Sequence, residues 1–369
     1  MRIFCKLICI SAFMVELGAC SNSGKKSEPL IVLRVGCMSV TNPNILHIQD
    51  ANLFKKNGID TKIEYVVGAS GPLLMDMFLA GKIDVAEFGD QPAVLGWIRG
   101  VDVKAVANFA TSPRNTYIMV ADSNKIKTMP DLKGKKIGVQ IGKITQQWLF
   151  LSLDQAGMKA TDIKMLNIPG GDASIALMTG EIDGAVLSEP TISLLEERKI
   201  AAKLKESHCS KTYSELLLVS GDIYINHQEI IKPLISIYHD ANAWVIDNPD
   251  KAISLIKKKI TYKALPEDVL KRQYGKNRSK VKYAGFTDSA KVSFRIIIRF
   301  FKDLKAVPQH GSLADSPQNF YDSTFVDEYY KDRAKRENTT VAEIMKSESG
   351  VKIASNIKFL KKRQTIFAR

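Results

Sequence analysis

Two stretches of this chain echo one another 99 positions apart (170 − 71 = 99). Gly71…Gly81-Lys82-Ile83-Asp84-Val85-Ala86…Asp90 is answered by Gly170…Gly180-Glu181-Ile182-Asp183-Gly184-Ala185…Glu189. Gly, Gly, Ile, Asp and Ala coincide, an acid closes each run, and proline follows shortly (Pro92, Pro190). Each unit reads as loop, helix, glycine stop, short strand, acid, next helix. The glycine suits a helix C-terminus, where a left-handed residue ends the run. One widely spaced repeat of this kind predicts two similar lobes.

The surrounding pattern agrees. Apolar runs at Leu30–Val35, Thr61–Val67, Val85–Phe88, Val101–Asn108, Tyr117–Val120, Lys136–Val139 and Ile163–Ile168 read as strands. Asn44–Lys56 and Pro72–Ala80 have helical spacing between them. Alternation of strands and helices implies an α/β fold with largely parallel sheets. After Ile225 the pattern changes, and Gln228–Asp247, Pro249–Ile260, Glu267–Tyr274 and Ser289–Leu304 read as helices.

The amino end carries a different signal. Arg2 and Lys6 precede an apolar run from Leu7 to Val15, far shorter than the ~20 residues that span a bilayer. That is the pattern of a signal peptide. Leu17-Gly18-Ala19-Cys20 resembles a bacterial lipobox, which makes Cys20 the lipidated first residue of the mature protein and residues 20–30 a tether. An acylated cysteine implies anchoring to a lipid bilayer. Cys5 and Cys9 fall within the signal, so Cys37 and Cys209 remain, too few for a disulfide scaffold. Cys37 lies in an apolar run and reads as a buried thiol.

Charge narrows the partners. Lys+Arg exceed Asp+Glu by 53 − 39 = 14 over 369 residues. Small anions and anionic surfaces fit that balance, and export argues against nucleic acid. Residues 331–369 hold eleven Lys/Arg and four Asp/Glu. They read as a basic extension, either a solvated helix or a contact for anionic lipid or cell-wall polymer. The five histidines show no metal-ligand spacing, and no nucleophile elbow, Walker loop or His-Glu-x-x-His motif occurs. No metal and no cofactor are expected.

Ligands of open α/β sheets bind beyond the carboxyl ends of the strands. Two lobes facing each other would make a cleft lined by Ser39-Val40-Thr41, Gly68–Gly71, Gly89-Asp90-Gln91, Gly142–Thr145, Gly170–Asp172 and Ser188-Glu189-Pro190. Several of these loops open helices, whose N–H groups and dipoles favour an anion. The candidate ligand residues are Thr41, Ser70, Gly71, Asp90, Gln91, Gly142, Lys143, Thr145 and Glu189. Ser70 either frames an anion site or is a plain N-cap. Asp90 either receives an amine or caps the helix behind it. Lys143 either pairs with an anion or is solvated, and Arg114 is a further anion partner to test.

The motifs together resemble a known family. Leu33-Arg34-Val35-Gly36, Ser70-Gly71, Ala80–Asp84, Gly89-Asp90-Gln91-Pro92-Ala93, Asp131-Leu132-Lys133-Gly134-Lys135-Lys136-Ile137-Gly138, Gly184-Ala185-Val186, Glu189-Pro190 and Asn248-Pro249-Asp250 occur in order from about residue 31 to 330. They resemble the substrate-binding lipoproteins of ABC importers for nitrate, alkanesulfonates, taurine and thiamine-precursor pyrimidines. The resemblance implies a two-lobed periplasmic-binding-protein clamp of type II, with mostly parallel sheets and a helical C-terminal portion. Residues 31–115 plus 222–330 would form lobe one and 116–221 lobe two. It implies a monomer that captures a small anionic ligand, sulfonate or taurine first, and delivers it to an ABC permease. By likeness to taurine binders Glu189 would receive an amine, the alternative being a helix cap. A pyrimidine or nitrate ligand is the other specificity on this frame. A pyrimidine-synthase-like enzyme is the third reading, opposed by the lipobox.

Overall fold

The computed structural model describes residues 30, 32–38, 43–68, 70–110, 116–121, 125–189, 191–204, 214–258, 266–274, 282, 284–286, 288–303, 305 and 316–348. Cys20, Thr41 and Arg114 lie outside the described residues. The described strands are β1 (Val32–Met38), β2 (Lys62–Gly68), β3 (Val85–Gly89), β4 (Val103–Ala110), β5 (Thr116–Val120), β6 (Lys136–Val139), β7 (Lys164–Asn167), β8 (Gly184–Ser188), β9 (Ala202–Lys203) and β10 (Ser214–Ser220). They form two five-stranded sheets, ordered β2-β1-β3-β10-β4 and β7-β6-β8-β5-β9. The architecture is the two-lobed α/β clamp that the resemblance implies, with the two similar units that the repeat predicts.

The echo is structural throughout. Helix Gly71–Leu79 is answered by Gly170–Met178, and β3 by β8, each offset by the same 99 positions (170 − 71; 184 − 85). Gly81 and Gly180 take the left-handed conformation (φ 62° and 73°) just after those helices, where glycine has no Cβ penalty. Ile83 and Ile182 are buried. Each packs on a glycine of the adjacent strand, where a Cβ on Gly36 or Gly138 would lie 2.7 or 2.9 Å from the isoleucine Cδ1.

In each sheet four strands run one way and one runs against them. In the first, β10 is antiparallel to β3 and β4; in the second, β5 is antiparallel to β8 and β9. Connectivity explains this. The chain leaves the first sheet at the carboxyl end of β4 and enters the second through β5, so β5 starts at the carboxyl edge and runs outward. β10 returns to the first sheet after β9 in the same manner. The sequence reading placed 116–221 in lobe two. The structure corrects this for Ser214–Ser220, which pairs with β3 and β4 in the first sheet.

Helices Ile231–Asp247, Asp288–Asp303 and Thr324–Arg336 contribute buried residues to the core around the first sheet, including Tyr238, Phe294, Phe301 and Tyr330. The segment expected as one helix over Asn44–Lys56 is two, Pro43–Asp50 and Leu53–Lys56, broken where Asn52 adopts a left-handed conformation (φ 51°), which asparagine tolerates better than most residues. The first part of the basic extension is not a solvated appendage. Ala334 and Ile344 are buried in the first core. Glu348, 5% exposed, bonds to His239 Nε2 (3.2 Å) and forms an ion pair with Arg333 Nη1 (2.5 Å). Net charge along the extension does not show this, because the anchoring acid is one of four among eleven cations.

Candidate functional site

Three helices begin at the carboxyl edges of the two sheets and meet: Gly71–Leu79 after β2, Asp90–Ile98 after β3, and Ile144–Gln155 after β6. Their approach depends on small residues. A Cβ on Gly71 would lie 2.6 Å from Pro92 Cγ, so only glycine lets these two helix starts pack. A Cβ on Gly142 would lie 3.4 Å from Leu95 Cδ2, an ordinary contact distance, so the turn that opens the third helix lies beside the middle of the second. Gln91 Nε2 donates to Gln147 Oε1 at 2.7 Å, a direct bond between a helix of the first unit and one of the second. Phe150 adds an edge-to-face contact with Phe300, ring centroids 5.7 Å apart.

The predicted residues divide by what they touch. Ser70 occupies the N-cap position but its side chain makes no capping bond, so the plain N-cap reading is not observed. Asp90 is 2% exposed. Its carboxylate accepts from Ser214 N and from Ser293 Oγ, both at 3.4 Å. It therefore ties the start of its helix to β10 and to the helix Asp288–Asp303. Gly142 N donates to Gln146 Oε1 (2.9 Å), and Thr145 Oγ1 donates to Gln140 O (3.5 Å). Lys143 sits at the N-cap position of its helix without a side-chain capping bond. Glu189 Oε2 accepts the N–H of Ser193 at 3.1 Å. Of the two roles left open for Glu189, this contact is the helix cap.

The structure adds Gln146, Gln147 and Thr116, which the sequence reading passed over. Gln146 and Gln147 are buried (3% and 1% exposed) in the first turn of their helix, just before the apolar run Trp148–Leu151. Two adjacent amides directly before that apolar run were the available signal. Ser188 Oγ and Thr116 Oγ1 lie 3.1 Å apart, where β8 ends and β5 begins. Cys37 is buried, and burial pushes its thiol up to about 12. Among the described residues there is no group of three or more His, Cys, Asp or Glu able to hold a metal ion. No described helix is long and apolar enough to cross a membrane.

Residues 44–252 match the sequence profile of the NMT1/THI5-like family. The chain belongs to this family. A putative aliphatic sulfonates-binding protein of Escherichia coli is 27% identical over 206 residues, 56% of this chain and 65% of that protein, just under two thirds of the relative's length. Its counterpart from Bacillus subtilis is 26% identical over 272 residues, 72% of this chain and 81% of that protein. The crystal structure of the periplasmic aliphatic sulphonate binding protein SsuA from E. coli shares the fold, with a TM-score of 0.66 at 22% identity, over 79% of this chain and 99% of that one. The same fold also carries chemistry. The desulfurization enzyme DszB superposes with a TM-score of 0.59 at 14% identity, over 82% of this NMT1/THI5-like chain and 100% of that one.

Proposed function

We propose that this chain is the substrate-binding component of an ABC importer that captures a small organic anion, a sulfonate first, between its two lobes and delivers it to a permease. The observation that carries this is the meeting of three helix N-termini at the carboxyl edges of two sheets. N–H groups in the first turn of a helix have no intrahelical acceptor, and the dipole there favours negative charge. Ser70 does not consume that capacity with its own side chain. The relatives named for aliphatic sulfonates supply the ligand class. Closure requires that the ligand bind the closed arrangement better than the open one, and a ligand touching both units does so.

The reading is of a carrier, despite the enzyme on the same fold. The described cysteine, Cys37, is buried and held as a thiol at neutral pH, so it offers no thiolate nucleophile. Export, anchoring of a monomer through a lipidated Cys20 and docking to a membrane permease complete the proposal. Cys20→Ser should release the protein from the membrane fraction and abolish incorporation of labelled palmitate; equal incorporation in the variant would show that the anchor lies elsewhere.

The ligand is tested by thermal shift with alkanesulfonates, taurine, nitrate and a hydroxymethylpyrimidine. Binding to the folded state alone stabilises by about 2.7 kcal/mol at a hundred times the dissociation constant. Stabilisation by sulfonates is expected. A shift with the pyrimidine and with no anion would replace the sulfonate reading by the pyrimidine one.

A further inference from the structure

The basic extension divides at Glu348. Its folded part, residues 331–348, holds five Lys/Arg and all four of the extension's acids. Each of those acids is engaged. Asp332 pairs with Lys232 (3.2 Å) and Glu337 with Arg333 (2.7 Å), Glu343 Oε2 accepts the N–H of Thr340 (3.1 Å), and Glu348 is held by His239 and Arg333. Residues 349–369 lie outside the described residues. Their sequence holds the other six Lys/Arg (11 − 5 = 6) and no Asp or Glu, and the acids nearest in the chain are already taken. The docked helix also fixes where this stretch departs. Glu348 O accepts Lys282 N (2.8 Å), and two residues on Ala284 O accepts Asn108 N (3.0 Å), in the second half of β4. The departure point therefore lies beside the carboxyl half of β4, on the cleft side of the first sheet. The proposed tether enters β1 at the opposite, amino edge.

We propose that residues 349–369 are a contact for anionic lipid, so that this stretch as well as the lipidated Cys20 holds the protein at the bilayer. This rests on the export and anchoring reading above. The order of the residues favours lipid over other anionic partners. In Ile357-Lys358-Phe359-Leu360-Lys361-Lys362-Arg363 large apolar side chains are interleaved with cations, and Ile366-Phe367 follows. A soluble anionic polymer uses only the cations and leaves the apolar groups in water. A bilayer with acidic headgroups uses both, the cations at its charged surface and the apolar groups at the boundary between headgroups and acyl chains. A second attachment also does what one anchor does not. One point of attachment limits the distance of the first unit from the bilayer but not its orientation. A second point, beside the carboxyl half of β4, brings the cleft side toward the membrane in which a permease lies, and raises the effective concentration of one for the other.

The test is co-sedimentation of the mature chain, residues 20–369, with vesicles of phosphatidylcholine alone and of phosphatidylcholine with phosphatidylglycerol. Cys20→Ser is present throughout, so that no acyl chain contributes. Binding to the phosphatidylglycerol vesicles only is expected, weakening as salt is added. Removing residues 349–369 should abolish it. Lys358→Gln, Lys361→Gln, Lys362→Gln and Arg363→Gln together should weaken it about a hundredfold or more. Ile357→Ser, Phe359→Ser and Leu360→Ser together keep every charge and should weaken it about tenfold or more. Binding undiminished by the truncation overturns the assignment. Binding undiminished in the serine variant shows that the cations act alone, which assigns the stretch to an anionic polymer and overturns the lipid contact. Thermal shift with an alkanesulfonate reports the fold of each variant and reads the importer proposal separately. Sulfonate binding without vesicle binding in the chain with its extension intact overturns this inference alone, and vesicle binding without sulfonate binding overturns the importer reading alone.

Discussion

Asp84 and Asp183 hold equivalent places in the two halves. Asp84 Oδ2 accepts Arg34 N at 2.7 Å, and Asp183 Oδ2 accepts Lys136 N at 2.8 Å. Each carboxylate thereby pins the neighbouring strand to its own β-strand, which is why the acid recurs in the repeat. The acids that close the repeat are also structural in part. Glu189→Ala removes the cap on the helix Thr191–Glu197 and should cost about 1 kcal/mol, in line with measured caps. Thermal denaturation should show the loss, with taurine and ethanesulfonate affinities reduced alike or unchanged. A selective loss of taurine binding would restore the amine-partner role. These residues mark how far the sequence could be read: the echo located Asp84, Asp183, Asp90 and Glu189, but whether a carboxylate faces a ligand or a backbone N–H depends on atoms far along the chain.

At the scale of elements, the helices Thr324–Arg336 and Val341–Glu348 are fastened to Ile231–Asp247 through one buried cluster. His239 lies within 3.2 Å of Asp240 Oδ1 and of Glu348, Tyr329 OH lies 3.1 Å from its Nδ1, and Arg333 Nη1 and Tyr330 OH both reach Glu348. Burial alone would lower the His239 pKa, but the bonds to Asp240 and Glu348 outweigh it and raise it. Burial would raise the Glu348 pKa, but His239 and Arg333 outweigh that and lower it. Linkage then gives opposite signs. The raised His239 contributes stability that is fully present below about pH 6.5, its ordinary value, and is lost as pH rises through the folded value. The lowered Glu348 contributes stability present above about pH 4.3 and lost as pH falls through its folded value. The docked extension should therefore be most stable between those limits. Urea midpoints against pH should peak there for the wild type, and His239→Gln should flatten the alkaline limb. An unchanged alkaline limb in that variant would mean that another group governs it.

At the scale of the molecule, the two units touch through Gln91–Gln147 and Phe150–Phe300. The phenylalanine contact is apolar and separate from the polar site, so it bears on the balance between open and closed arrangements. Phe150→Ala should shift that balance toward open. An aromatic pair contributes about 0.5–1.5 kcal/mol beyond its buried area, which corresponds to about two- to tenfold weaker apparent binding for every ligand alike. Small-angle scattering of the ligand-free variant should show a larger radius of gyration than wild type. Unchanged affinity and radius together would show that this contact has no part in closure.

What the sequence determined by itself was whatever depends on neighbours in the chain. Alternating strand and helix periods, the left-handed glycines at 81 and 180, and two units of one design all follow from local patterning and its repetition. Tertiary structure decided the rest. A run such as Ser214–Ser220 is equally apolar in either sheet, and only the direction from which the chain returns puts it between β3 and β4. Gln91 and Gln147 are separated by 56 positions, and neither amide shows in sequence that the other completes it. A buried polar group is defined by what surrounds it. Its partners exist only once the two units have been brought together.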